Sequence, residues 1–459
     1  SIHNDNYNDE NKISLDKIAA LGNLPYMVLK GENLPSFKKD RKYLDVEFVN
    51  PGDPDRNFTA SQARADVQGT SSQYYYRKNF KIKFEGGFED SNKNWSEHYK
   101  MRGDDSKKEK TFTFKADVAS SEGTNNVELV RYFEDTKNWY SPAELEPDDD
   151  LNTADSKKRI RVGIDGFPIV MFHDNGTTTS FYGKMNFNND KDNKRTFGFE
   201  EGDECWEFLH NTSDLVLFKS ADLTNWQDSF ESRYPEEYGD DEHAYGTGSG
   251  ELNRLQALLN WVVSTERLST DSEEEKTRKL TKFKNEFEQH FDLDSTLFYY
   301  LFTELFLMVD SRAKNAMLAY LQRRPNGSWD STVRNNQTTQ IQRGNKWYWH
   351  PYDMDTALGI NNEGLLVFNY DREDTDLQEG AFIYNGQDSV FWNNVRDAFP
   401  TELRAMYERL RTVNSSGSIG WSYDLAEKYF DDHQAVWSET MFNEDNRRSE
   451  ERFSRNAET

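Results

Sequence analysis

Two stretches decide how this chain is read: Leu297–Asn315, LFYYLFTELFLMVDSRAKN, and Trp347–Gly359, WYWHPYDMDTALG. The first is apolar on nearly every face from Leu297 to Val309, which predicts a central buried helix. The run is too short to cross a bilayer and contains Thr303 and Glu304. It ends on Asp310, where the chain emerges from the core. The second stretch predicts a short aromatic strand, Trp347–Tyr352, leading into Asp353-Met354-Asp355.

Asn315 lies five residues after Asp310. That is the Asp-to-Asn spacing of a loop that serves phosphoryl transfer, where the carboxylate accepts a hydroxyl proton and the amide holds a divalent cation. Asp353 and Asp355 are two apart, so on a strand they point to the same side. Two such carboxylates with a nearby amide suit a hard cation, and a cation bridging phosphate oxygens neutralises developing charge. Each element has a plainer reading. Asp310 can belong to a polar turn after a helix, and Asp353-x-Asp355 can cap a helix beginning near Thr356.

Working outward, Gln68-Gly69-Thr70-Ser71-Ser72 is a Gly/Ser turn followed by Arg77-Lys78-Asn79-Phe80-Lys81-Ile82-Lys83. Backbone N–H groups of such a turn can face a phosphate, and a lysine of the next strand can reach it. Alone, the pattern also fits an ordinary turn and a solvated strand face. Two further polar clusters, Lys115-Ala116-Asp117 with Ser120, Ser121, Asn125 and Asn126, and Gly183 to Lys191, read best as turns and loops beside strands. Cys205 reads as buried, and no Ser-His-Asp triad, P-loop or dinucleotide fingerprint occurs.

The surrounding pattern is α+β, strand-rich first and mainly helical afterwards. Strands are expected over Pro25–Lys30, Tyr43–Val49, Tyr74–Phe84, Thr111–Lys115, Arg159–Phe172 and Ser180–Asn186, and a helix near Val127–Phe133. Beyond an acidic, Gly-rich loop at 236–250 the period becomes 3.6, with a leucine and valine stripe from Leu252 to Val263. A capping box, Ser272-x-x-Glu275, follows. Residues 323–346 read as a polar loop, and helices are expected around 399–412 and 422–438. The division is a polar arm or linker over 1–22, a strand-rich lobe over 23–225 and a mainly helical lobe over 226–459.

The 459 residues carry a net charge of −26, which disfavours nucleic acid as a partner. Aromatic residues make up 14% and compensate for modest aliphatic content in building a core. One cysteine excludes an intrachain disulfide. The first residues are polar and acidic, without a secretory leader pattern, and no membrane span is expected.

Four stretches, in order, resemble the CotH family of atypical spore-coat kinases: ADVQGTSSQYYYRKNFKIKF (65–84), TFTFKADVASSEGTNN (111–126), FTELFLMVDSRAKNAML (302–318) and WYWHPYDMDTALG (347–359). The resemblance extends over roughly residues 24–440. It implies a two-lobed, protein-kinase-like fold that transfers the γ-phosphate of ATP to protein serines with Mg2+ or Mn2+, Ca2+ being a third candidate. It implies Asp310 as the catalytic Asp, and Asn315, Asp353 and Asp355 at the metal. It implies Lys78 on the phosphates and Gly69, Thr70, Ser71 and Ser72 over the nucleotide. Gln68 and Tyr352 stand where the family has Arg and Trp. This variant looks most like CotH-domain proteins of gut bacteria and phage virions. The alternative implication is therefore a structural or adhesive component of a virion or cell surface, within a larger assembly. The implied location is extracellular, on a spore surface or in a virion.

Overall fold

The structure is a computed structural model that describes residues 23–140, 163–234, 252–359 and 388–435, with short gaps inside these ranges. The expected arm (1–22) and the acidic loops 141–158 and 236–250 fall outside the described residues.

The strand-rich part contains β1 (Tyr26–Lys30), β2 (Lys42–Val49), β3 (Phe58–Gln68), β4 (Asn79–Lys83), β5 (Phe88–Asp90), β6 (Trp95–Ser96), β7 (Tyr99–Lys100), β8 (Lys108–Glu109), β9 (Thr111–Lys115), β10 (Gly166–Asp174) and β11 (Thr179–Asn189). Seven of these run in the order β2-β1-β10-β11-β9-β4-β3, and β3 pairs back to β2, so the sheet closes into a barrel. Only the β1–β10 pair is parallel among the barrel strands. Closure follows from side-chain alternation. Leu44, Val46 and Phe48 are buried while Tyr43 and Asp45 face out. In β3, Ser61 and Gln62 are both exposed, and Gln62 takes φ 50° at a bulge opposite Asp45. That extra residue resets the phase, so Ala63, Ala65 and Val67 again point inward. These small side chains leave room for Phe80, Phe112, Phe114 and Phe187 in the same core.

The second part contains β12 (Glu204–Phe208), β13 (Phe230–Tyr234), β14 (Ala316–Leu321), β15 (Trp329–Arg334), β16 (Gln337–Gln342) and β17 (Lys346–Pro351). Strands β13-β12-β14-β17 form an antiparallel sheet, and β15 pairs with β16. Its helices, and one that leaves the barrel, are α1 (Val130–Tyr140), α2 (Asn253–Ser264), α3 (Glu273–Glu286), α4 (Leu293–Leu305), α5 (Val390–Ala398), α6 (Pro400–Leu410) and α7 (Tyr423–Gln434). Ser272 caps α3 by accepting from Glu275 N at 3.1 Å, as the capping box predicts. Helix α4 is buried along most of its length and packs on β17, whose six residues are all buried. Helix α1 follows the barrel strand β9 in sequence yet joins this second core, with Phe133 4.9 Å from Phe298 between ring centroids.

Several expectations are corrected. The polar loop at 323–346 contains the β15–β16 hairpin, because its alternation lies in polar residues that a hydrophobic period does not register. Strand pairing starts at Asn79 rather than Tyr74, since Ser72–Tyr74 forms a 3-10 turn. The protein is mixed α and β with a strand-rich first half. The barrel is closed, however, and the second half has its own sheet, so a clear kinase-like two-lobe arrangement does not emerge. Among the described residues, no helix is long and apolar enough to cross a membrane.

Candidate functional site

Antiparallel pairing of β14 with β17 sets Ala316 opposite Pro351. The loop entering β14 and the loop leaving β17 therefore share one end of the sheet, which brings Asp310–Asn315 beside Asp353–Asp355. Three further hydrogen bonds hold the arrangement. Asn315 N donates to Phe208 O at 3.2 Å, and Leu358 N and Gly359 N donate to the carbonyls of Phe306 and Leu307 at 2.6 and 2.9 Å. The segment after Asp355 is thus tied back to the end of α4.

Two details differ from expectation. Helix α4 stops at Leu305, and Leu307 takes φ 48°, so Asp310 sits in a turn rather than at the helix end. Strand β17 stops at Pro351 and Asp353 takes φ 55°, so the two aspartates meet through a turn, not through strand alternation. Asn315 and Asp117 also adopt left-handed backbone, at φ 52° and 48°. Asn and Asp tolerate this region better than other side chains, and such conformations concentrate at working sites.

These residues line a cleft of about 570 Å3 that draws on both halves of the molecule. From the barrel come Gly69, Ser72, Asn79, Lys115 and Asp117. From the second half come Asp310, Asn315, Tyr352, Asp353 and Asp355. Gly69 has φ 106°, and a Cβ there would stand 1.8 Å from Ser72 Oγ, so the turn admits only glycine. Thr70 and Ser71 lie outside the described residues. Lys78 does not line the cleft: its ammonium donates to Gln73 O at 2.5 Å, and burial lowers its pKa.

Burial pushes the Asp310 carboxyl up to about 6, with Lys314 pulling it down and Asp353 pushing it further up. Its Oδ2 accepts from Asn315 Nδ2 at 3.0 Å. Asp353 and Asp355 are hydrogen-bonded to each other and titrate as a pair. Burial opposes ionisation of both. Lys115 and the bonds from Asp355 and Asn126 keep Asp353 below the usual range, while Asp353 itself drives Asp355 well above it.

Sequence reasoning left Asn125 and Asn126 in a polar turn. They open a π-helix, Asn125–Leu129, which runs directly into α1. Such wide turns recur at functional sites because they re-aim side chains. Asn126 Nδ2 donates to Asp117 Oδ1 at 2.8 Å and to Asp353 Oδ1 at 3.2 Å, and its Oδ1 accepts from Met354 N at 2.6 Å. One amide thereby joins a barrel carboxylate to the second-half loop. Asn186 Nδ2, from β11, holds the other oxygen of Asp117 at 2.6 Å. Lys191 ion-pairs with Glu207 at 3.3 Å and lies 4.5 Å over the Tyr352 ring. The Lys115 and Lys191 clusters read as loops because their role depends on pairing between distant strands, such as Lys115 with Asn186.

Among the described residues, no three His, Cys, Asp or Glu side chains cluster closely enough to hold a metal ion by themselves. The oxygen donors at the cleft include the Asp353–Asp355 pair and the Asn315 amide. Among the described residues Asp355 Oδ1 is buried without a hydrogen-bond partner, and burial together with the Asp353 carboxylate pushes the Asp355 carboxyl well above its ordinary value. An oxygen-only donor set with one orphaned oxygen and excess negative charge fits a hard divalent cation that also takes ligand and water oxygens.

A family model described as CotH kinase protein matches residues 200–457. The match includes Asp310, Asn315, Asp353 and Asp355 and leaves out the barrel strands. No curated protein matches the chain. With the site aspartates inside a match that spans more than half of its length, this chain belongs to the CotH family.

Proposed function

We propose that the cleft binds ATP with Mg2+ or Mn2+ and transfers the γ-phosphoryl group to a serine hydroxyl of a protein partner, as an atypical kinase. The observation that carries this reading is the convergence of Asp310, Asn315, Asp353 and Asp355 on one cleft whose barrel side carries Gly69 and Ser72. Asp310 is the proton acceptor: its elevated pKa, about 6, leaves it ionised at neutral pH yet basic enough to take a hydroxyl proton. Asn315 holds that carboxylate in place through its 3.0 Å hydrogen bond. Asp353, Asp355 and the Asn315 amide are the cation's protein ligands. A divalent cation there would neutralise charge developing on the phosphate oxygens. Asn126 fixes the orientation of Asp353. The location carried by the family resemblance is a spore surface, cell surface or virion.

A second reading is a CotH-domain scaffold with little or no turnover. It is favoured by the engagement of Lys78 with Gln73 O, away from the cleft. Incubation with labelled ATP and Mg2+ or Mn2+ separates the two. The kinase reading expects phosphoryl transfer, lost by about a thousandfold in Asp310→Ala, and a melting temperature that rises with ATP and metal. A flat melting temperature at saturating ATP and metal, with no transfer, supports the scaffold. Transfer that survives Asp310→Ala overturns the role given to Asp310.

A further inference from the structure

Five cationic side chains line the cleft: Lys38, Lys115, Lys191, Lys314 and Arg233. Four of them have other roles or an open position. Arg233 donates to Glu207 and Glu231. Lys191 is paired with Glu207. Lys314 acts on Asp310. Lys38 is exposed on a rim loop. Lys115 differs. Its ammonium lies 5.0 Å over the Tyr352 ring, and among the described residues it donates no hydrogen bond and forms no ion pair. The ring steadies the lysine and consumes none of its three N–H donors.

The position of Lys115 also matches that of a phosphate ligand. Asn79 Oδ1 accepts from Ala116 N at 2.7 Å, and Asn79 Nδ2 donates to Ser72 Oγ at 3.2 Å. Ser72 is therefore laced through Asn79 to the residue beside Lys115. Lys115, Asp117, Asp353 and Asp355 line the same cleft, and the charges of these three carboxyl groups act on the ammonium.

We infer that Lys115, and not Lys78, is the lysine that contacts the phosphates of the bound nucleotide. This rests on the nucleotide reading above and names the residue that makes the contact. An ammonium to phosphate oxygen contact is charge-assisted and directional enough to position the chain for transfer. Lys78, tied to Gln73 O, contributes to the turn rather than to the ligand.

The test is calorimetric binding of ATP with Mn2+, and separately of inorganic tripolyphosphate, to the full chain and to Lys115→Met, Lys115→Gln and Lys78→Met, with melting temperatures as the folding control. Loss of one charge-assisted contact weakens binding about tenfold or more. Lys115→Met and Lys115→Gln are therefore expected to weaken both ligands to that degree, and Lys78→Met to stay within about threefold of wild type. Folded Lys115 variants that bind both ligands as wild type does, or a larger loss in Lys78→Met, overturn the assignment. Wild-type binding of tripolyphosphate without ATP overturns the nucleotide reading alone, and the Lys115 variants then decide the lysine on tripolyphosphate. Wild-type binding of neither ligand overturns both.

Discussion

The barrel and the second half bury aromatic residues by different rules. In the barrel, one side of each strand turns inward, and the rings of Phe48, Phe112, Phe114 and Phe187 meet because distant strands pair in a particular register. In the second half, α4 is apolar nearly all round, and a ring cluster assembles about one strand, with Trp349 5.4 Å from Phe391 and 4.7 Å from Trp392. The two cores divide the labour at the cleft. The second half supplies the acids, on loops at one sheet end. The barrel supplies Gly69, Ser72, the Lys115 ammonium and Asp117. The family match reaches only the first of these contributions. The acidic wall of the cleft can thus be recognised locally, while the wall facing it has to be found in three dimensions.

The hardest test of that division is Phe187→Ala. Phe187 is fully buried, with ring centroids of Phe114, Phe167 and Phe112 within 4.6, 5.1 and 5.2 Å. Truncating it should cost about 4 kcal/mol in urea unfolding. Helix α1 leaves the barrel and packs into the second core, so fluorescence of Trp206, Trp349, Trp392 and Trp421 should report the same shifted midpoint. A tryptophan transition that stays at the wild-type midpoint would mean that the two cores unfold independently.

Asn126→Ala probes the join itself. It removes hydrogen bonds to two carboxylates and leaves Met354 N without its acceptor. A loss of about 2–3 kcal/mol is expected at pH 7. A change below about 0.5 kcal/mol, inside the range of a neutral surface substitution, would sink the idea that this amide couples the halves.

The smallest effect is expected at Glu204, on β12. Burial pushes its carboxyl up to about 7, and Arg254, 3.7 Å away, only partly offsets this. A folded-state pKa above the unfolded value means full stability below the unfolded pKa and loss as pH rises through the folded one. Glu204→Gln should therefore match wild type near pH 4 and exceed it by about 2 kcal/mol by pH 6. A difference that does not change with pH would show that Arg254 already compensates the charge.

Much of the architecture was legible in local pattern. Thr111–Lys115 is a strand over the expected residues, the Leu252–Val263 stripe is α2, and Ser272 caps α3. The Asp310 to Asn315 spacing pointed to two side chains that do bond each other. The geometry given to Asp353 and Asp355 was legible only in part. Their proximity is as expected, yet it comes from a left-handed turn after Pro351, a backbone state that residue alternation cannot encode. Lys115, Asp117, Asn126 and Lys191 lie in polar clusters that local pattern reads as turns, because each acquires its contacts only from a strand or helix far away in the chain.

Taken by itself, the sequence determined the strand-rich first half and the helical stripes after it, the acids and amide of the second-half loops, and the family. Those properties rest on neighbours within a few residues, where period, capping and spacing operate. The closure of the barrel, the end-to-end meeting of the β14 and β17 loops and the placing of Lys115 rather than Lys78 in the cleft lining were decided by tertiary structure alone. Each depends on register between strands remote in sequence, and register is an energy of the whole packed core rather than of any local stretch.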